Sequence, residues 1–173
     1  RFGFGNAGHL VYLRDKSLYF FKSEGKDQVF FMYRRKQEKL FCIGEPIGNP
    51  KYFKEALEDF LKTADLYGFE PVFYDIDQDF TLLLHEYGYD FLQIGEKGLV
   101  DLEKFNLHGE KHHNQRALIN RFANDGYVLD FLKPPYSEEL LSEMRKVSDD
   151  WLSNRTEKGF SVGFFDEYYL EQG

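Results

Sequence analysis

The chain has 173 residues, a formal net charge of -8 and an aromatic content of 18%, with 19 Phe and 12 Tyr. That length suits one domain with ample core material, which excludes a disordered chain, and the acidity argues against broad electrostatic capture of nucleic acid. Cys42 is alone, which excludes an internal disulfide and a cysteine-based zinc site and fits a reducing compartment.

In chain order, residues 1–10, RFGFGNAGHL, lack the charged-then-apolar order of a signal peptide. No apolar run approaches the roughly 18 residues needed to cross a bilayer. LVYL at 10–13 and SLYFF at 17–21 read as strands joined by a short polar turn, and QVFFMYRR at 28–35 and KLFCIG at 39–44 follow. Such closely spaced strands predict an antiparallel meander. The period then changes. Asn49 and Pro50 form a cap-and-first-turn pair, and Phe53, Ala56, Leu57, Phe60, Leu61 and Ala64 recur at helical spacing before Gly68. PVFYDI at 71–76 reads as a strand and DFTLLLHEYG at 79–88 as a short helix. FLQIG, GLVDL and YVLDFL (127–132) read as strand segments around a basic helix. Ser137 caps a last long helix with an inward stripe of Leu140, Leu141, Met144, Val147, Ser148, Trp151 and Leu152. The order predicts an α+β (mixed α/β) fold with a largely antiparallel central sheet flanked by helices. The chain opens on Arg1 and stops at YYLEQG, and both ends read as cut from a longer polypeptide.

The basic helix lies in GEKHHNQRALINRF, residues 109–122, where Lys111, His112, His113, Arg116 and Arg121 are concentrated in an otherwise acidic chain. At about 100° per residue, Leu118, Ile119 and Phe122 share one side. His113, Arg116 and Asn120 follow at +3 and +4 on the roughly opposite face. A solvated helix face is one reading. A phosphate- or carboxylate-binding face is the other, because Arg presents a planar fork of donors suited to such groups.

Other motifs carry less. Adjacent His112 and His113 diverge on a helix and make a poor metal pair, and no His-Glu-x-x-His occurs. GFSVG formally places Ser161 in a Gly-x-Ser-x-Gly pattern, but a long helix precedes it and no His follows, so a hydrolase elbow is set aside. GEPIGNP at 44–50 reads as a capped strand-to-helix turn, with a turn whose amides meet an anion as the alternative. Asp149 and Asp150 sit late in a helix, against its dipole, and Arg145 or Arg155 is the expected offset.

Taken in order, HLVYLRDKSLYFF, CIGEPIGNP, PVFYDID, FLQIGEKGLVDLEKFNLHGEKHHNQRALINRF, PPYSEELLSEMRKVSDDWL and EKGFSVGFFDEYYL resemble the cytosolic region of bacterial aminoacyl-phosphatidylglycerol synthases, the multiple peptide resistance factor family. Glu45 departs from the Asp usual in that family's turn and keeps its charge. The resemblance implies an acetyltransferase-like (GNAT-type) fold, with 1–158 as the first of two tandem domains and 159–173 leading into a second. It implies transfer of an aminoacyl group, often lysyl, from charged tRNA to phosphatidylglycerol, giving resistance to cationic antimicrobial peptides. The phosphatidylglycerol lysyltransferase would act at the cytoplasmic face of the membrane, anchored by a multi-span part, with no metal or redox cofactor. The fragment alone is expected to be inactive. In that setting Lys111, His113, Arg116 and Asn120 are expected to face a phosphate, and no catalytic base is assigned. The alternatives are a non-catalytic scaffold or lipid-binding half of the same enzyme, and a coenzyme-A-dependent N-acetyltransferase. The second lacks its pyrophosphate loop, since RFGFGNAG has glycines at the wrong offsets.

Overall fold

A computed structural model describes residues 7–172. They form two compact units: the larger takes residues through Phe91 and from Pro134 onward, the smaller Leu92–Lys133.

The larger unit is organised by one strand. VFFM, residues 29–32, is buried at every position, a pattern that only a strand covered on both faces can show. This strand, β2 (Lys26–Lys36), pairs antiparallel with β1 (Ser17–Ser23) on one side and with β3 (Lys39–Ile43) on the other. The predicted meander is therefore present, and β5 (Glu70–Tyr74) adds parallel to β3. Pro71 fits in β5 because the strand is paired on one side, at the end of the order β1-β2-β3-β5. A short strand, β4 (Ile47–Gly48), returns to β2, pairing Ile47 with Phe30 and Gly48 with Val29. Between β3 and β4 the register slips by two residues: Tyr33 faces Cys42, but Phe30 faces Ile47.

Alternation along β2 feeds two cores. Val29 and Phe31, with Leu40 and Cys42 of β3, meet Ala56, Leu57, Phe60 and Ala64 of α1 (Phe53–Leu66) and Phe80 and Leu84 of α2 (Gln78–His85). The rings of Phe31 and Phe60 stack with centroids 4.7 Å apart. On the other face, Phe30, Met32, Ile43 and Ile47 meet Leu10 and Leu13, with Phe160, Phe164 and Tyr169 packed around them. Residues 10–13, expected to be a strand, belong instead to a 3₁₀ helix, Gly8–Leu13. The physical reason is spacing: Leu10 and Leu13 are three apart, so a 3₁₀ turn aims both at the sheet, whereas a strand would send them to opposite faces.

The last long helix, α4 (Glu138–Leu152), begins where expected, with the amide of Leu140 donating to Ser137 Oγ at 3.2 Å. Its expected inward stripe is only partly inward. Leu141 is buried, but Val147 and Trp151 are each 70% exposed, and Trp151 lies under the guanidinium of Arg155 at 4.8 Å. Arg145 donates to Glu167 Oε1 at 2.8 Å, tying α4 to the short helix Glu167–Leu170.

The smaller unit contains one helix of length, α3 (His113–Asn124), entered through a 3₁₀ turn at Glu110–His112. FLQIG, GLVDL and YVLDFL, expected as strands, are not paired in any ladder among the described residues. The sequence pattern marks them as strands, but an apolar run does not by itself supply the neighbouring strand that a ladder needs. No helix among the described residues is long and apolar enough to cross a membrane.

Candidate functional site

The approach to α3 is built from local turns. Asp101 accepts the amides of Glu103 and Phe105, the first on its side chain at 3.1 Å and the second on its carbonyl at 2.8 Å. Asn106 Oδ1 then accepts the amide of His108 at 3.0 Å, an Asx turn. Gly109, at φ 85°, makes the left-handed step that starts the 3₁₀ turn.

Arg116 locks this approach in place. Its Nη1 donates to the carbonyls of Leu107 at 2.5 Å and Gly109 at 2.7 Å, from a full turn inside the helix. Both hydrogens of Nη1 are thereby engaged, and a guanidinium carries three further N–H groups on Nε and Nη2. His113 opens α3 and is exposed, as are Lys111 and Asn120, while Arg116 is half-buried. The helix therefore places His113, Arg116 and Asn120 on one face, as their spacing requires. Lys111 precedes it in the 3₁₀ turn.

His112, weighed in the sequence only as a member of the cationic run and as half of a poor metal pair, has an environment the sequence did not disclose. Its ring stands edge-on to Phe105 at 5.9 Å, and its Nδ1 is shielded from solvent with no hydrogen-bond partner among the described residues. The only sequence signal was its adjacency to His113, which argued against a shared metal and nothing more. On the other side of α3, Leu118, Ile119 and Phe122 are about half exposed, not packed in a core. Phe122 meets Tyr127 edge-on at 5.1 Å.

The other candidates resolve into structural roles. In GEPIGNP, Asn49 Oδ1 accepts the amide of Lys51 at 3.1 Å, and the amide of Asn49 donates to the carbonyl of Gln28 at 3.0 Å. These donors are already used, which is the capped-turn reading. Glu45 Oε1 accepts the amide of Asp77 at 3.0 Å, joining this turn to the start of α2. Ser161 stands in a bend, with no helix before Glu167, so the nucleophile-elbow context is missing. Arg145 pairs with Glu167 and also interacts with the Asp149 charge, the expected offset for that aspartate, while Arg155 stacks on Trp151. Residues 1–6, which hold most of RFGFGNAG, lie outside the described residues.

A largely antiparallel sheet with one parallel addition, helices on one face and a 3₁₀ turn on the other, defines an acetyltransferase-like domain. Residues 4–173 match the family described as phosphatidylglycerol lysyltransferase, C-terminal. The phosphatidylglycerol lysyltransferase of Bacillus subtilis is 40% identical over 97% of the chain, and that of Staphylococcus xylosus 37% over 95%. Among solved structures, L-PGS from Bacillus licheniformis superposes with a TM-score of 0.90 at 38% identity, over 97% of this chain and 52% of that one. A C-terminal domain from Agrobacterium fabrum does so at 0.87 and 29% identity, over 95% and 52%. The chain belongs to the phosphatidylglycerol lysyltransferase C-terminal family. It spans 19% of the length of these two curated relatives and about half of each solved chain.

Proposed function

We propose that the chain is one part of an enzyme that moves a lysyl group from charged tRNA to phosphatidylglycerol at the cytoplasmic face of a bacterial membrane. The observation that carries this reading is the family match across residues 4–173, together with 38% identity to a solved L-PGS at a TM-score of 0.90.

The chemistry is ester exchange. A hydroxyl oxygen of the lipid headgroup bonds to the aminoacyl carbonyl carbon. The bond from that carbon to the ribose oxygen breaks, and the hydroxyl proton ends on the departing oxygen. One ester replaces another, so the protein's work is to orient two large substrates, assist the proton and stabilise the tetrahedral oxyanion. Both substrates carry phosphate, and cationic side chains hold phosphate groups in place.

Lys111, His113, Arg116 and Asn120 are the residues proposed for such a contact. Their support is the shared helix face and exposure of His113 and Asn120, with Lys111 exposed in the turn before it. Arg116 has a double part in this reading: Nη1 fixes the turn that presents Lys111 and His113, and the remaining N–H groups face the anion. Membrane anchoring and a second acetyltransferase-like domain belong to the same proposal, and resistance to cationic peptides follows from a less anionic lipid surface.

The test is reconstitution of the longer polypeptide with phosphatidylglycerol vesicles and radiolabelled lysyl-tRNA. Labelled lipid that forms only with the charged tRNA is the expected result. Equal labelling from free lysine without tRNA, or no labelled lipid, would overturn the reading.

A further inference from the structure

At about 100° per residue, the apolar positions of α4 fan from Val147 round to Leu152 over an arc of about 140°. Val147, Leu140, Trp151, Met144, Leu141 and Leu152 follow one another across that arc. The rest of the larger unit covers only one side of it. Leu141 is buried, and Leu140, Met144 and Leu152 are half-buried, but Val147 and Trp151, one turn apart, are each 70% exposed. An arc of that width is what a helix needs to face a core, yet the Leu140–Trp151 side of it stands as an open strip about 16 Å long.

Apolar residues exposed singly are ordinary on a surface, but a contiguous strip marks a face that something covers. The composition is that of an interface anchor. Trp and Arg are the residue types in which binding energy concentrates, and the Arg155 guanidinium sits 4.8 Å from the Trp151 ring centroid.

Charge selects the occupant. Glu143 and Asp150 are exposed and fall just past Val147, along the side of the strip away from Leu141. An anionic lipid surface would meet these carboxylates, and like charges brought together are unfavourable. A helix whose apolar stripe is edged by Lys or Arg satisfies both the strip and its rim. The solved relatives supply a source, since each carries nearly as much polypeptide again outside the region this chain matches. An occupant on the same polypeptide also has the advantage of a high effective concentration. We propose that the Val147–Trp151 strip of α4 is the docking surface for an amphipathic, cation-edged helix in the further polypeptide that such relatives carry. This rests on reading the chain as one part of a larger lysyltransferase. A longer polypeptide that forms labelled lipid while its Trp151 stays in water would sink the docking and leave that reading standing.

Trp151 is the chain's single tryptophan, so its fluorescence reports on the strip directly. Acrylamide quenching is measured on the 173-residue chain and on the longer polypeptide, in the second as the difference between wild type and Trp151→Phe. In the short chain Trp151 should be quenched as a tryptophan in water is, and in the longer polypeptide the quenching should fall severalfold. Val147→Asp should leave the melting temperature of the short chain nearly unchanged, because that side chain is already exposed, and should return the longer polypeptide to the short-chain quenching. Asp150→Lys keeps the strip apolar and reverses one rim charge, and it should weaken the protection less at high salt than at low. Equal quenching in the two polypeptides would overturn the proposal, as would protection that both variants leave intact. Protection already present in the short chain would overturn it too: a doubled mass by light scattering would assign the strip to a second copy, and an unchanged mass to this chain's own residues. Protection of the short chain that appears only with phosphatidylglycerol vesicles would assign the strip to the lipid surface instead.

Discussion

Asp15 Oδ2 accepts the backbone N–H of Phe160 at 2.9 Å, joining points 145 residues apart in the chain. Its other carboxylate oxygen takes the ammonium of Lys16, whose side chain is only 2% exposed. A Cβ added at Gly159 would stand 3.0 Å from the same Oδ2, so the close approach favours glycine there. This clasp seats Phe160 and Phe164 on the second face of the sheet, against Leu10 and Leu13.

Removing the carboxylate should be severe. Asp15→Ala leaves the Lys16 ammonium buried without its counter-charge, and breaking one partner of a buried pair typically costs about 3–5 kcal/mol. Thermal melts should show a drop of that size. A loss under about 1 kcal/mol would mean that water readily replaces the pair.

The same group sets an acid limit. Burial by itself would raise the Asp15 carboxyl, but the Lys16 ammonium and the Phe160 amide outweigh it and hold the group below its ordinary value of 3.8. A folded-state value below the unfolded one gives stability that is fully present above the unfolded value and is lost as pH falls through the folded one. The wild-type melting temperature should therefore fall below about pH 4, and Asp15→Asn should flatten that part of the profile. Parallel acid limbs in the two proteins would assign the loss to other carboxylates.

Gly48 tolerates no side chain. Its φ is 146°, and an added Cβ would lie 2.1 Å from the carbonyl oxygen of Gln28. Gly48→Ala must push β4 away from β2, at a cost of about 3 kcal/mol or more. Denaturant unfolding measures it, and a change below about 1 kcal/mol would show that β4 can detach freely.

For Arg116 the informative pair is Ala and Lys. If charge toward phosphate is its main contribution, Arg116→Lys should retain most lipid product in the longer polypeptide while Arg116→Ala loses roughly ten- to a hundredfold. If the two carbonyl bonds matter more, Lys should fail nearly as badly as Ala, because an ammonium lacks the planar fork. Residues 107–112 should then exchange their amides faster in both variants. Full activity in Arg116→Ala would remove the residue from the site.

Phe60 and Trp151 should respond in opposite ways to truncation. Phe60 is buried and stacked on Phe31, so Phe60→Ala should cost about 3–5 kcal/mol. Trp151→Ala, at an exposed position under Arg155, should cost under about 1 kcal/mol in this chain. Thermal melts of both variants check the contrast.

The larger unit was largely legible in the sequence because its signals are local. Asn49 and Ser137 cap where their side chains predict, and the run of Phe53 through Ala64 packs as a helix face. The strand expected at 10–13 failed because four apolar residues carry no decisive period, and the second face of the sheet selected a 3₁₀ turn. Trp151 failed for a different reason: apolar character marks a residue that can be buried, not what is present to bury it. At the candidate site the cationic cluster and the shared face could be read. The two carbonyls held by Arg116 could not, because they depend on how the 101–109 turns fold back.

The two-residue slip between β3 and β4 carries a constraint on chain length. Directly opposed residues share a face, and the slip is even, so Ile43 and Ile47 both reach the core that holds Met32 and Phe30. Adding or losing one residue at Glu45 or Pro46 would turn Ile47 toward the α1 side and put Gly48 out of line with Gln28. A change of two residues would keep the parity. That turn can therefore change length only in even steps if both cores are to survive, and the chain's tolerance of insertions there is set by arithmetic rather than by solvent exposure.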